Sequence, residues 1–233
     1  MTGEPKRRYV VASLHDWNEA SYNEQIRHLP GLWEYVSSRE TLESALHGPE
    51  APRYVFFPHW SHKVPDRIVD QFECIAFHMT DLPFGRGGSP LQNLIVRGHT
   101  STKLTALRMT SEFDAGPVYL KKSLSLAGSA LEIYERTAAL TAEMIKEIVS
   151  TDIVPVEQAG EPTVFSRRTP AESEIPGELD QRGVYDFIRM LDAPGYPKAF
   201  AKYGKFRLEF SDAEMGDDRV EAKVTIKQEK ESE

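Results

Sequence analysis

The chain has 233 residues, enough for one large domain or for a domain of about 150 residues with a smaller one. Its hydrophobic content of 40% and charged content of 27% are globular, while the net charge of −8 argues against a nucleic-acid-binding surface, which needs basic patches. The single cysteine, Cys74, excludes an internal disulfide framework, and no apolar run resembles a signal peptide or a membrane span, so we expect a cytoplasmic protein without a membrane partner.

Short apolar runs alternate with polar segments in the first part of the chain. The runs predict strands at residues 9–14, 32–36, 54–57 and 74–77. The segments between them predict helices at residues 18–29, 41–47 and 66–72. This alternation predicts an α/β fold with a parallel-rich, Rossmann-like sheet, in which ligands bind beyond the carboxyl ends of the strands.

Further elements follow the fourth strand. Ser89 as a hydroxyl N-cap and Pro90 as the first helical residue predict a short helix that ends near Gly98. A capping box formed by Ser129 and Glu132 predicts a long helix. The other predicted elements are strands at 104–109 and 118–124, a helix around 184–191, and a β-hairpin of 205–210 with 219–226.

The texture of the sequence changes near residue 150, where Pro, Glu and Ser become frequent. We therefore divide the chain into a main domain at 1–150, a connecting segment at 151–182 and a small C-terminal subdomain of helix plus β-hairpin at 183–233. An isolated two-stranded unit is marginally stable, so we expect a homodimer that covers the hairpin.

His78 and Asp114 are the candidate catalytic residues. His78 ends the fourth predicted strand and precedes a turn rich in Gly and Pro, FHMTDLPFGRGGSP. Asp114 lies in a second tight turn, Asp-Ala-Gly-Pro. A carboxylate beside a histidine fixes its tautomer and supports general acid–base chemistry near neutral pH. His59-x-x-His62 lacks a nearby Cys or acidic cluster, so no metal site is predicted.

The same stretch resembles the formyltransferases that use N10-formyltetrahydrofolate. That family has the pattern Asn-x-His-x-Ser-Leu-Leu-Pro, then Arg-Gly-x-x-Pro, a Gly, a Thr and finally Asp-x-Gly. The matching positions here are His78, Thr80, Leu82-Pro83, Arg86-Gly87, Pro90, Gly98, Thr102 and Asp114-Ala115-Gly116. Within the family, the stretch looks most like the enzymes that modify nucleotide-linked amino sugars, including precursors of the pseudaminic-acid type.

The resemblance implies roles for individual residues. His78 and Asp114 would be catalytic, and the co-substrate would be N10-formyltetrahydrofolate without a metal. The residues implied to bind the folate are Pro58, His59, Trp60, Arg86, Gly87, Gly88 and Asp114. The residues implied to meet the second substrate are Asp81, Phe84, Arg86 and Tyr196.

One position departs from the family pattern, because Ala76 replaces the Asn that is thought to stabilise the oxyanion. Losing one such donor typically costs about 10²–10³ in rate. Three explanations stay open. Another donor takes over, such as Asn93, Thr80, His59, Trp60 or a backbone N–H; or His78 acts alone; or the protein binds folate without transferring the formyl group.

The expected function is formyl transfer to the amino group of a nucleotide-linked amino-deoxysugar, such as a UDP-4-amino-4,6-dideoxy sugar, in surface polysaccharide biosynthesis, with no nucleic acid involved. The alternatives are an enzyme like methionyl-tRNA formyltransferase, a catalytically silent folate- or nucleotide-binding protein, and a hydrolase of the same folate. The acidic net charge argues against tRNA, and Ala76 alone supports the silent protein.

Overall fold

The computed structural model describes residues 7–48 and 50–228. They form two compact units from interleaved segments. The first unit contains the described residues up to Gly87 with Thr102–Leu124 and Glu135–Val164, and the second contains Gly88–Ser101, Ser125–Tyr134 and the described residues from Phe165 onward. The division at 1–150, 151–182 and 183–233 has its outer limits beyond the described residues and stays a prediction.

The strands and helices follow the alternation that the sequence predicts. The strands are β1 (Arg8–Ala12), β2 (Leu32–Val36), β3 (Tyr54–Pro58), β4 (Cys74–His78), β5 (Arg86–Gly87), β6 (Ser101–Arg108), β7 (Val118–Ser125), β8 (Val164–Phe165), β9 (Ala199–Tyr203), β10 (Phe206–Met215) and β11 (Val220–Gln228). The helices are α1 (Asp16–Ser21), α2 (Arg39–Leu46), α3 (Asp66–Gln71), α4 (Pro90–Ile95), α5 (Ala130–Thr151) and α6 (Gln181–Arg189).

A six-stranded sheet with the order β2-β1-β3-β4-β6-β7 forms the frame of the first unit. Strands β2, β1, β3 and β4 are parallel, and β6 joins β4 in antiparallel orientation. The chain moves from β1 to one side for β2 and to the other side for β3, which creates a switch point at the carboxyl end of β1. The predicted α/β class with a parallel-rich sheet is therefore confirmed.

The core of this unit packs α2 and α3 against one face of the sheet. Every second residue of a strand contributes to this face, because side chains alternate between the two sides of a sheet. Its buried residues are Val10, Ala12, Val36, Leu42, Ala45, Leu46, Val55, Phe57, Val64, Ile68 and Cys74. Burial raises the pKa of the Cys74 thiol to about 12, which agrees with an inert core cysteine.

The second unit contains a three-stranded antiparallel sheet with the order β11-β10-β9. Helix α6 begins at its N-cap Asp180, whose carboxylate accepts from the N–H of Gly183 at 2.7 Å. Arg189 at the end of α6 is buried and donates to Asp186 and to the carbonyl groups of Leu126 and Gly128. The predicted helix plus hairpin is therefore present, with β9 as a third strand. The homodimer through this segment stays a prediction.

Local expectations need three corrections. The hydroxyl of Ser89 does not cap α4, because Ser89 has a φ of 50° and its Oγ accepts from the N–H of Arg168. The helix expected at 18–29 begins earlier and changes to π-helical geometry over Tyr22–Ile26. Strand β9 lies in a stretch for which no strand was predicted. The capping box of Ser129 and Glu132 forms as predicted.

No helix in the described ranges is both long and apolar enough to cross a membrane.

Two histidines meet at the carboxyl ends of β1 and β3. The rings of His15 and His59 are 4.3 Å apart, and the ring of His15 stacks on Trp17, also at 4.3 Å. Burial, together with the neighbouring His15, lowers the pKa of His59 to about 3, and burial also lowers the pKa of His15. Both rings are therefore neutral near pH 7.

The low pKa of His59 predicts a pH-dependent stability. Below the unfolded pKa of about 6.5, the unfolded chain binds a proton that the folded His59 does not, so the free energy of unfolding falls as the pH falls. Between pH 7.5 and 5.5, we expect the wild type to lose about 1 kcal/mol more than a His59→Phe variant. Urea unfolding at both pH values measures this difference. Equal losses of unfolding free energy in the two proteins would contradict the low pKa of His59.

Candidate active site

His78 is the last residue of β4 and is 8% exposed, at the sheet edge where the parallel strands end. Its Nε2 lies 2.8 Å from the carbonyl oxygen of Gly85, so Nε2 carries the proton and donates. Its Nδ1 faces Oδ1 of Asp114 at 3.6 Å. The structure thus brings the two predicted catalytic residues together within the first unit.

Asp114 divides its carboxylate between two elements. Oδ2 accepts from the backbone N–H of Gly87 at 2.9 Å, while Oδ1 faces His78. The backbone of Asp114 has a φ of 54°, a left-handed conformation that an L residue adopts only when its surroundings hold it there. Gly116 is required two residues later, because a Cβ there would lie 1.9 Å from the carbonyl oxygen of Arg108.

Gln158 holds this turn and was missed by the sequence analysis. Its Nε2 donates to the carbonyl oxygens of Asp114 and Gly116 at 2.8 and 2.9 Å. Its Oε1 accepts from Nε and Nη2 of Arg86 at 3.2 and 2.9 Å. One amide therefore ties the Arg86-Gly87 loop to the Asp114 turn. No sequence signal pointed to it, because its Pro- and Glu-rich surroundings are typical of a linker.

The same stretch of chain also fixes the loop after His78. Thr163 accepts from the N–H of Gly85 through its hydroxyl at 2.7 Å and from the N–H of Arg86 through its carbonyl at 2.9 Å. Its own N–H donates to the carbonyl of Pro83 at 3.2 Å. The carbonyl of Gly85 that receives His78 is thereby held in place, so part of the predicted connecting segment belongs to the site's framework.

Two residues expected to support the oxyanion are engaged elsewhere. The hydroxyl of Thr80 is fully buried and donates to the carbonyl of Gly85 at 3.4 Å. The amide of Asn93, in the second unit, donates to the carbonyls of Gly88, Ser89 and Ser166 at 3.0–3.1 Å. Its N–H groups are therefore bonded to main-chain carbonyls, so Asn93 stabilises its own unit and has no N–H left for the formyl oxygen.

The residues expected to bind folate lie in both units. In the first unit, Pro58 is the last residue of β3, and His59 and Trp60 follow it. Arg86 and Gly87 of the same unit form β5. Gly88 belongs to the second unit, where an added Cβ would meet Cβ of Arg167 at 2.5 Å. The Nε1 of Trp60 is buried and has no hydrogen-bond partner among the described residues.

The residues expected to meet the second substrate have different surroundings. Asp81 forms ion pairs with Lys121 at 2.6 Å and Lys103 at 3.0 Å. Partial burial raises the pKa of Asp81, but these two ammonium groups outweigh it and lower the pKa overall. Tyr196 stacks on Tyr134 at 5.3 Å inside the second unit, and burial raises its pKa. The charge of Asp81 is thus balanced by two lysines, and the ring of Tyr196 is packed against another ring. Phe84 and Arg86 lie half-buried in the loop after His78.

The residues that the structure describes contain no cluster of three His, Cys, Asp or Glu side chains able to hold a metal ion. The chemistry available is proton transfer. In the neutral ring of His78, Nδ1 is unprotonated and two electron-rich atoms, Nδ1 and Oδ1 of Asp114, face each other. A proton taken up by this pair would bond His78 to Asp114, so the arrangement suits the removal of a proton from a reacting group.

Comparison with known proteins places this geometry in a family. Residues 170–227 match the family described as methionyl-tRNA formyltransferase, C-terminal domain. The structure of a methionyl-tRNA formyltransferase from Clostridium thermocellum is similar with a TM-score of 0.89 and 40% identity, covering 96% of this chain and 100% of that one. A methionyl-tRNA formyltransferase of Mesoplasma florum is 29% identical over 169 residues, which are 69% of this chain and 53% of that protein. The chain thus spans about half the length of the curated relatives it matches.

The expected amino-sugar acceptor is wrong. A 4-N formyltransferase from Francisella tularensis is 16% identical with a TM-score of 0.64, covers 85% of this chain and 93% of that one, and shares the fold alone. The motif between 76 and 118 failed to discriminate because it reports on the formyl-transfer site rather than on the acceptor. The expected absence of a nucleic-acid partner is overturned by the same relatives, because net charge describes the whole chain and not one face. The chain belongs to the formyltransferase family of which these methionyl-tRNA formyltransferases are members.

Proposed function

We propose that this protein transfers the formyl group of N10-formyltetrahydrofolate to the amino group of methionyl-tRNA. The observation that carries the proposal is the pairing of His78 with Asp114 at the carboxyl end of β4, in a chain 40% identical to a methionyl-tRNA formyltransferase. The folate co-substrate is supported by the family membership and by the motif that surrounds this pair.

The proposed reaction is an acyl transfer. The amine attacks the formyl carbon, and the electrons of the C=O bond move to the oxygen. When the C=O bond re-forms, the bond from carbon to N10 breaks. The amine loses one proton to His78 and Asp114, and N10 gains one, so the pair returns to its starting state. Holding two large substrates in one cleft supplies much of the acceleration by proximity.

The residues around this pair have proposed binding roles. We assign to the folate the residues at and after the end of β3, with the two residues of β5 that follow the His78 turn: Pro58, His59, Trp60, Arg86 and Gly87. Phe84 lies in the same loop and is proposed to meet the acceptor. Asp81 has a weaker claim to contact an amine, because Lys103 and Lys121 already neutralise it.

A basic row on the second unit's sheet supports a tRNA partner. Lys202, Arg207 and Lys227 are register partners across β9, β10 and β11, so their side chains lie on one face. Lys202 and Lys227 are more than half exposed and pair with Glu174 and Glu209. Surface ion pairs of this kind contribute little, so phosphate groups can replace the carboxylates.

The direct test is an acceptor assay with N10-formyltetrahydrofolate and either methionyl-tRNA or a set of UDP- and dTDP-linked amino sugars. We expect a formylated product with methionyl-tRNA and none with the sugars. We expect His78→Ala and Asp114→Ala each to lower turnover about 10²-fold or more. Formylation of a sugar alone would overturn the proposal. No product with any acceptor, together with tight folate binding, would favour the silent binding protein that Ala76 suggests.

Gln158 is predicted to position the catalytic turn. Gln158→Met keeps the length of the side chain but removes four hydrogen bonds to Asp114, Gly116 and Arg86. We expect kcat to fall about tenfold or more, with a smaller change in KM. In an Asp114→Asn background the same change should cost less, because the turn no longer carries the carboxylate. Fully additive losses would indicate only a general loss of structure.

The basic row predicts a salt-dependent interaction. Lys202→Gln with Lys227→Gln removes two cations from the face, so we expect weaker methionyl-tRNA binding and a salt-dependence slope reduced by about 1–2. Fluorescence anisotropy at several salt concentrations measures both quantities. Lys63→Gln, which removes an exposed lysine of the first unit paired with Asp66, is the matched control. Equal effects of the control and the double variant would contradict this assignment.

A further inference from the structure

Acyl transfer places negative charge on the formyl oxygen, and the family motif supplies an Asn amide to stabilise it. Here the position is Ala76, whose methyl group donates no hydrogen bond. Ala76 lies in the middle of β4 and is partly exposed, two residues before His78. Because side chains alternate along a strand, Ala76 and His78 lie on the same face of the sheet. The donor that replaces the amide should therefore serve this face.

The neighbouring donors of the motif are already in use. Nε2 of His78 and the hydroxyl of Thr80 both donate to the carbonyl of Gly85. The amide of Asn93 donates to three carbonyls of the second unit. None of these groups is spare for the formyl oxygen without breaking a bond that holds the site together.

Trp60 presents the opposite situation. Its indole Nε1 is buried, and the residues described here provide no acceptor for it. Buried N–H groups in proteins are almost always paired, because leaving one unmatched is costly. An indole nitrogen is a donor only, so its missing partner has to be an acceptor such as a carbonyl oxygen or an oxyanion.

A ring contact with Phe57 brings Trp60 to the face of Ala76. Strands β3 and β4 are parallel, and Phe57 is the partner of Ala76. Partners on adjacent strands are about 5 Å apart and point to the same side. The ring of Trp60 meets that of Phe57 edge-on, with 5.8 Å between the centroids. The indole therefore covers the side chain that adjoins Ala76.

We propose that the indole N–H of Trp60 donates to the formyl oxygen as its negative charge develops, in place of the amide absent at Ala76. This inference rests on the proposed function for its chemistry. The indole N–H keeps its proton throughout, so the proton balance of the reaction does not change. Trp60 thereby becomes a catalytic residue, with a role distinct from general packing of the folate.

Kinetics of two substitutions test the role. Trp60→Phe keeps an aromatic ring but removes the donor, and we expect kcat to fall about 10²-fold with KM for the folate changed less than about threefold. Adding Ala76→Asn to Trp60→Phe should restore kcat about tenfold or more, because it returns the amide of the family motif. Trp33→Phe, whose indole donates to Leu29, is the control and should leave kcat unchanged.

An unchanged kcat, a loss confined to KM, or no rescue by Ala76→Asn would overturn the proposal. A second measurement needs folate binding but neither the acceptor nor turnover. In protein labelled with ¹⁵N-tryptophan, the indole proton of Trp60 should move downfield with N10-formyltetrahydrofolate but not with tetrahydrofolate, which lacks the formyl oxygen. The indole signal of Trp33 is the internal reference. The same response to both folates would also overturn the role.

Discussion

The carboxylate of Asp114 is shared between the imidazole of His78 and the backbone N–H of Gly87, and the arrangement of the site depends on this sharing. One oxygen fixes the glycine-rich loop and the other faces the ring. The carbonyl of Gly85 in the same loop receives Nε2 of His78. The three elements therefore hold one another, so displacing any of them disturbs the contacts of both ring nitrogens of His78.

Such a site needs support, because Asp114 occupies a left-handed conformation and its loop is rich in glycine. The support comes from Gln158 and Thr163, which bond mainly to main-chain atoms of the two catalytic turns. Hydrogen bonds to main-chain atoms do not depend on which side chains the turns carry. The geometry of the two turns is thus fixed mainly through the main chain, and among the described side chains only Arg86 is bonded to Gln158.

We propose that Trp60 supplies the oxyanion contact that the family motif assigns to an amide. Ala76 in β4 lacks the amide of the family motif, while Trp60, in the loop that follows β3, has a buried N–H without an acceptor among the described residues. The two observations are complementary, because the formyl oxygen lacks the donor that Ala76 cannot supply and the indole N–H of Trp60 lacks an acceptor. Parallel pairing makes this exchange possible, because neighbouring strands end at the same edge of the sheet.

The sequence by itself determined the parallel-rich sheet and singled out His78 and Asp114 as candidates, because apolar periodicity and turn residues are local properties of the chain. Only the tertiary structure decided that the two side chains face each other, at 3.6 Å. The sequence did not determine the acceptor, because net charge is a sum over the whole chain and does not show how charges are distributed over its faces. Strand register places Lys202, Arg207 and Lys227 on one face of an otherwise acidic chain. Only the tertiary structure decided that the amide of Asn93 bonds three main-chain carbonyls, that Gln158 joins two turns, and that Trp60 packs on Phe57, the strand partner of Ala76. Each of these depends on contacts between residues distant in the chain or on the hydrogen bonds that packing leaves unmade, which no local pattern encodes.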